Sequence, residues 1–252
     1  MPASSDSLDV LYGLRSGLAV FAQRREDIQS ISYAGTARSE LRELLAWARA
    51  AGVAASEAQE KELARLADST QHEGLVLGVK PRRWLAAKEL ASWLVSRQLN
   101  GVALDRVRNP QNIGAILRSA AFFGFGSAIL GAPAPHPGLP PFAIRVAEGG
   151  TEHLTFTRTT DLADTLARLR AGGVQVIGTD VGASIDLQSI PPRRPSVVVL
   201  GHEREGLGPR IRAQCDVLVA IRGSGAVQSL NVAVAAGVVF AALAGPRAVR
   251  NG

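Results

Sequence analysis

Asn109-Pro-Gln-Asn112-Ile-Gly114-Ala-Ile-Leu-Arg118 follows the apolar run Val102 to Leu104 and leads into a helix-like stretch that continues to Phe123. A buried strand that turns into a helix through a loop rich in Asn and Gly is how an open α/β sheet brings backbone to a ligand. Two later segments have a related build. Gly201-His-Glu203-Arg-Glu205-Gly206-Leu-Gly208 follows Val197 to Leu200, and Gly223-Ser-Gly225-Ala-Val-Gln-Ser229-Leu-Asn231 follows Val217 to Ile221 and opens into the all-round apolar stretch Leu230 to Leu243. Ser127 to Leu130 and Val174 to Gly178 are further apolar runs set between helical patterns. Such near-continuous apolar strands predict an α/β fold with a parallel sheet covered by helices on both faces.

Residues 8 to 79 predict a smaller α/β unit. Leu8 to Phe21 begins it and Ile28 to Tyr33 reads as a strand. Thr36 to Ala51 carries Leu41, Leu44, Leu45 and Ala48 at helical spacing, with Gly52 as the stop. Glu57 to Asp68 repeats the helical pattern more weakly, and Gly74 to Val79 returns as a strand. Pro81-Arg82-Arg83 breaks the unit, after which Trp84, Leu85, Leu90, Trp93 and Leu94 mark an amphipathic connecting helix. The expected division is therefore 1–79, a linker over 80–100, and 101–252. Ala132 to Pro141, with five prolines, reads as a loop.

Two domains suit 252 residues. The formal charge of +6 comes almost wholly from arginine, since Lys61, Lys80 and Lys88 are the only lysines. Arginine suits bidentate phosphate contacts and favours a nucleic-acid partner, the alternative being a merely solvated basic surface. Cys215 is the sole cysteine, which excludes an internal disulfide and points to the reducing cytoplasm. His72, His136, His153 and His202 lack ligand spacing, so no metal is expected. Met-Pro-Ala-Ser-Ser-Asp lacks the basic end and apolar core of a signal peptide. Gly223 to Pro246 carries no charge and is long enough to span a membrane, yet Gln228, Ser229, Asn231 and its many Ala and Gly favour a buried helix.

The motif residues also have local readings. Asn112 is placed to cap the helix that runs on through Arg118, and Gly114 admits a close approach to its first turn. Arg118 is a poor base because a guanidinium stays protonated. A chemical role for it would need either a specially arranged site in which it takes a proton or one in which it orients an anion and stabilises a forming negative charge. The second motif lacks the Lys-Ser/Thr ending of a phosphate-binding loop, and Glu203 and Glu205 are too close to flank a glycosidic bond. Ser229 and Asn231 open the last helix, with Ser229 as the expected cap.

In this order and context the three segments resemble the signature motifs of the SpoU (TrmH-type) RNA ribose 2′-O-methyltransferases of the knotted SPOUT class. The resemblance covers about 102 to 245 and extends to the linking segment Ala147-Glu-Gly-Gly-Thr-Glu-His153-Leu. It implies a methyl donor, S-adenosylmethionine, an rRNA or tRNA substrate, and a homodimer. It also implies an active site of Asn112, Arg118, Glu203, Ser229 and Asn231, with Leu200, Gly201, Gly206, Ile221 and Leu230 holding the cofactor. Methyl transfer asks for positioning and loss of a proton, so neither metal nor thiol is required. The threaded C-terminus of the family is an exception to the avoidance of knots. Leu11-Tyr-Gly-Leu14 and Gln71-His-Glu-Gly74 resemble the family's L30e-like RNA-binding domain, in which Arg24, Arg25, Arg38, Arg42 and Arg49 would meet phosphate. Ile221-Arg222-Gly223 departs from the Ile-Pro-Met of many relatives, and Ala233 from their serine. Arg222 then either touches RNA phosphate or compensates an absent neighbour. The contrasting expectation is a non-catalytic RNA-binding or ribosome-assembly protein that retains the fold.

Overall fold

The computed structural model describes residues 8–132, 138–190 and 195–244. The Met-Pro-Ala-Ser-Ser-Asp opening and the centre of the proline-rich loop, 133–137, lie outside the described residues. The elements begin with β1 (Asp9–Tyr12), α1 (Leu14–Arg24), β2 (Ile28–Tyr33), α2 (Arg42–Ala51), β3 (Ala54–Glu57), α3 (Glu60–Ala67), β4 (Leu75–Val79) and α4 (Ala87–Arg97). There follow β5 (Gly101–Asp105), α5 (Pro110–Phe122), β6 (Ser127–Gly131), α6 (Pro141–Val146), β7 (Thr155–Thr159), α7 (Leu162–Ala171) and β8 (Gln175–Thr179). The last are β9 (Ile185–Asp186), β10 (Ser196–Leu200), α8 (Pro209–Arg212), β11 (Val217–Ala220) and α9 (Val232–Ala244). The chain divides into two compact units, 1–83 with 139–153, and 84–138 with 154–252.

The first unit is a four-stranded sheet in the order β1-β4-β2-β3, antiparallel except for the β2–β3 pair. Its core gathers Leu11, Val20, Ile28, Ile31, Leu44, Leu75 and Leu77. Helix α2 starts at Arg42 rather than Thr36, because the preceding residues fold as a 3-10 turn over Gly35–Ala37 whose bonds run three residues back. Leu41, the residue just before α2, is buried, and its carbonyl accepts from Leu45 N at 2.9 Å, so it shares the spacing of the helix it opens. Gly52 does end α2, in the left-handed region at φ 70°, with its N–H donating to Ala48 O.

Segment 139–153 completes this unit through a buried ion group. Arg24 Nε donates to Glu152 Oε2 at 2.8 Å, Arg82 Nη2 donates to Glu152 Oε1 at 2.5 Å, and Arg24 Nη1 lies 3.3 Å from Asp27. Burial by itself would raise the Glu152 pKa, but the Arg82 and Arg24 charges and their hydrogen bonds outweigh it and hold the carboxyl below its ordinary value. Burial pulls Arg82 down as well, yet a guanidinium starts so high that it stays charged. Arg24, expected at an RNA phosphate, is thus occupied inside the protein, its side chain 14% exposed.

The second unit is built on seven parallel strands in the order β7-β6-β5-β10-β8-β11-β9. The fully buried strands Val102 to Leu104 and Val197 to Leu200 lie side by side at its centre. Leu90, Leu94, Ile129, Leu166 and Val176 fill the space between sheet and helices. Helix α5 packs against α9, where Phe125, just past the end of α5, and Phe240 of α9 bring their rings to 4.4 Å. The turns after β5, β10 and β11 all leave the carboxyl ends of parallel strands, where open sheets of this kind bind ligands. Among the described residues, no helix is long and apolar enough to cross a membrane, α9 having 13 residues.

Candidate active site

Helix α5 is started by Asn109, not by Asn112. The Asn109 side chain accepts from Gln111 N at 2.9 Å, and Pro110 takes the first helical position, where a missing N–H costs nothing. Asn112 therefore sits inside the first turn with its amide available. At the other end of the site, Asn231 caps α9: its Oδ1 accepts from Ala233 N at 2.8 Å and from Val234 N at 3.4 Å. Ser229, the expected cap, lies exposed two residues earlier, too far back in the chain to meet the first turn.

These two caps orient a chain of side-chain hydrogen bonds. Because the Asn231 oxygen is used by the helix, its Nδ2 faces out and donates to Asn112 Oδ1 at 3.2 Å. Asn112 Nδ2 then donates to Glu203 Oε1 at 2.8 Å. A carboxylate only accepts, so the amide orientations follow along the whole series. Residues 91 and 119 positions from Asn112 are thereby joined to it.

The loop that carries Glu203 is closed tightly. A Cβ on Gly201 would stand 2.5 Å from the Gly206 carbonyl carbon and 2.7 Å from Leu207 N, a clash with backbone that only glycine avoids. Gly206 itself has φ 65°, and its N–H donates to His202 O at 2.9 Å. Leu200 is 1% exposed, leaving only its backbone at the strand end. Ile221 is half-buried and Leu230 is 45% exposed in the segment before α9. Arg118 is exposed on α5, less than two turns beyond Asn112.

Arg222 is committed to its own chain. Its Nη2 donates to Ala183 O at 2.9 Å and Ser184 O at 2.8 Å, and its Nε lies 3.9 Å from Asp186. It ties the end of β11 to the approach to β9. Asp105 and Arg106, which carried no signal in the sequence, also shape the site, as does His202, weighed there only as a metal ligand. Burial pushes the Cys215 thiol up to about 11, so it is a poor nucleophile near neutral pH. Among the described residues, no three His, Cys, Asp or Glu side chains converge as metal ligands.

Residues 100–241 match the model of the SpoU rRNA Methylase family, and residues 10–85 match that of the RNA 2'-O ribose methyltransferase substrate binding domain. The chain belongs to the SpoU family. An uncharacterized tRNA/rRNA methyltransferase of Mycobacterium sp. (strain KMS) is 35% identical over 78% of this chain and 63% of its own length. The chain thus spans a little under two thirds of the mycobacterial relatives it matches. The 23S rRNA (guanosine-2'-O-)-methyltransferase RlmB of Acinetobacter baylyi is 34% identical over 91% of this chain and 94% of its own. An AdoMet-bound rRNA methyltransferase from Sinorhizobium meliloti superposes with a TM-score of 0.77, covering 93% of this chain and 85% of that one at 24% identity.

Proposed function

We propose that this chain is an S-adenosylmethionine-dependent RNA 2′-O-methyltransferase that modifies rRNA or tRNA in the cytoplasm as a homodimer. The observation that carries the reading is the Glu203–Asn112–Asn231 hydrogen-bonded series, which draws three distant loops to one end of a parallel sheet. The family match and the ribose methyltransferase named among the relatives support it.

The residues present fit the donor. Backbone at Leu200, Gly201 and Gly206, with the apolar side chains of Ile221 and Leu230, suits the adenosine portion, and Glu203 supplies the negative charge that a cationic sulfur requires. When bound, S-adenosylmethionine supplies a methyl group already activated for transfer. The chain's own task is to hold a ribose 2′-oxygen in line and to ease the loss of its proton to solvent water. Arg118 stabilises the developing alkoxide and anchors the neighbouring phosphate, since a guanidinium donates but does not accept. Asn112 and Asn231 fix Glu203, and Ser229, exposed two residues before Asn231, offers a further hydroxyl to the RNA. In the first unit, Arg25, Arg42 and Arg49 are exposed and serve as phosphate contacts.

Calorimetric titration with S-adenosylmethionine tests this reading. Saturable binding of one molecule per protomer is expected. Absence of binding, with and without RNA, would favour a non-catalytic RNA-binding protein.

The dimer rests on α9, which exposes Val234 (54%) and Val238 (40%) one turn apart, beside α5 with Phe122 at 78%. An exposed apolar stripe on packed helices is suited to a second copy. Val238→Glu is expected to weaken dimerisation about 100-fold, or about 3 kcal/mol. Sedimentation velocity at micromolar concentration reads it, and an unshifted dimer would place the interface elsewhere.

A further inference from the structure

Arg106 stands directly after β5, outside the polar series just described. Its backbone takes φ 59°, a left-handed conformation that side chains disfavour. From there the guanidinium reaches the loop after β10. Nη1 donates to Glu205 Oε2 at 2.5 Å, and Nη2 donates to Gly206 O at 3.0 Å and to Asp105 Oδ2 at 3.4 Å. Asp105, 7% exposed, also accepts from Gly208 N at 3.4 Å. Within the loop, His202 Nδ1 accepts from the N–H groups of Arg204 and Glu205, each at 3.3 Å. The turn 202–206 is thus closed upon its own histidine and then strapped to the end of β5. Glu203 projects from the middle of that turn to Asn112.

We infer that Arg106 is a positioning residue: by fastening Glu205 and Gly206 to β5 it fixes where the Glu203 carboxylate stands against Asn112. This rests on the reading of Glu203 as part of a methyl-transfer site. The strap holds two strand-end loops in register, and it draws on a forked, permanently charged donor that reaches a carboxylate and a carbonyl together. A displacement of about 1 Å in a reacting constellation is enough for a 100-fold loss of rate.

Arg106→Ala is expected to lower kcat for methyl transfer about 100-fold, with Arg106→Lys recovering about a tenfold part of that loss through a single donor. In a Glu203→Gln background, Arg106→Ala should add less than about threefold, because residues that act through one another are not additive. Hydrogen exchange of the peptide covering 201–208 gives a readout independent of turnover, and Arg106→Ala should speed it about tenfold or more. Unchanged exchange, a kcat within about threefold of wild type, or losses that multiply in the double variant would overturn the positioning role. A wild-type chain that transfers no methyl group but shows the faster exchange on Arg106→Ala would instead count against the enzyme reading and leave the strap in place.

Discussion

Replacing Arg118 with alanine is expected to lower methyl transfer to RNA about 1000-fold while changing S-adenosylmethionine affinity less than about threefold. Arg118 is an exposed residue of α5 about 9 Å along the helix from Asn112, six residues at the usual rise. The proposed cofactor contacts come instead from the loops after β10 and β11, so cofactor binding and chemistry should separate cleanly. A 1000-fold loss corresponds to about 4 kcal/mol of transition-state stabilisation, the size associated with one preorganised donor at a developing oxyanion. Arg118→Lys keeps the charge but not the planar fork, and should recover little of the rate. Single-turnover transfer of a labelled methyl group, paired with calorimetry, separates the two quantities. Full activity in Arg118→Ala would remove the residue from its role.

The second large effect is on stability. Glu152 has a side chain only 1% exposed and holds both Arg24 and Arg82, themselves 14% and 13% exposed. Glu152→Ala removes the carboxylate shared by two largely buried guanidinium groups, leaving Arg24 with Asp27 and Arg82 with the Thr151 carbonyl. Removing one partner of such a group costs about 3–5 kcal/mol. The earliest transition in urea unfolding of the whole chain should shift accordingly, and a shift below about 1 kcal/mol would mean that water replaces the carboxylate. The pH dependence has a definite sign. A carboxyl held below its ordinary value of 4.5 stabilises the fold fully above that value. That contribution is lost as pH falls below 4.5 and through the lowered folded value, so acid should destabilise wild type more than Glu152→Ala.

The inner strands were legible because their apolar runs are nearly continuous: β5 and β10 are buried throughout, β6 and β8 except at their ends, and β11 over its last two residues. Strand β3, Ala-Ala-Ser-Glu, is exposed at every position and sits at an edge, so hydrogen bonding to β2 alone makes it a strand. Strand β7, with three threonines and an arginine, and the two-residue β9 are likewise the edges of their sheet. Such strands are decided by their neighbours rather than by their own residues.

Within the site, Asn112, Glu203 and Asn231 stood out in the sequence, but the helix caps were misplaced by two or three residues. The actual caps depend on Pro110 opening α5 and on the Asn231 side-chain oxygen accepting from Ala233 N. Arg106 gave no local signal, since its value lies in Glu205 and Gly206, about 100 positions away. Separations of 128 and 70 positions likewise hid the link of Arg24 and Arg82 to Glu152. Arg222 shows the converse: a departure visible in the sequence acquires a meaning only through the carbonyls of Ala183 and Ser184.

Mass-spectrometric mapping of ribose methylation in cellular RNA, with and without this gene, bears most directly on whether the three strand-end loops form a methyl-transfer site. A 2′-O-methyl group is expected to disappear from one rRNA or tRNA position on deletion, and to return with wild-type protein but not with Arg118→Ala. An unchanged set of ribose methyl groups in the deletion strain, together with no transfer by the purified protein to RNA from that strain, would contradict the assignment.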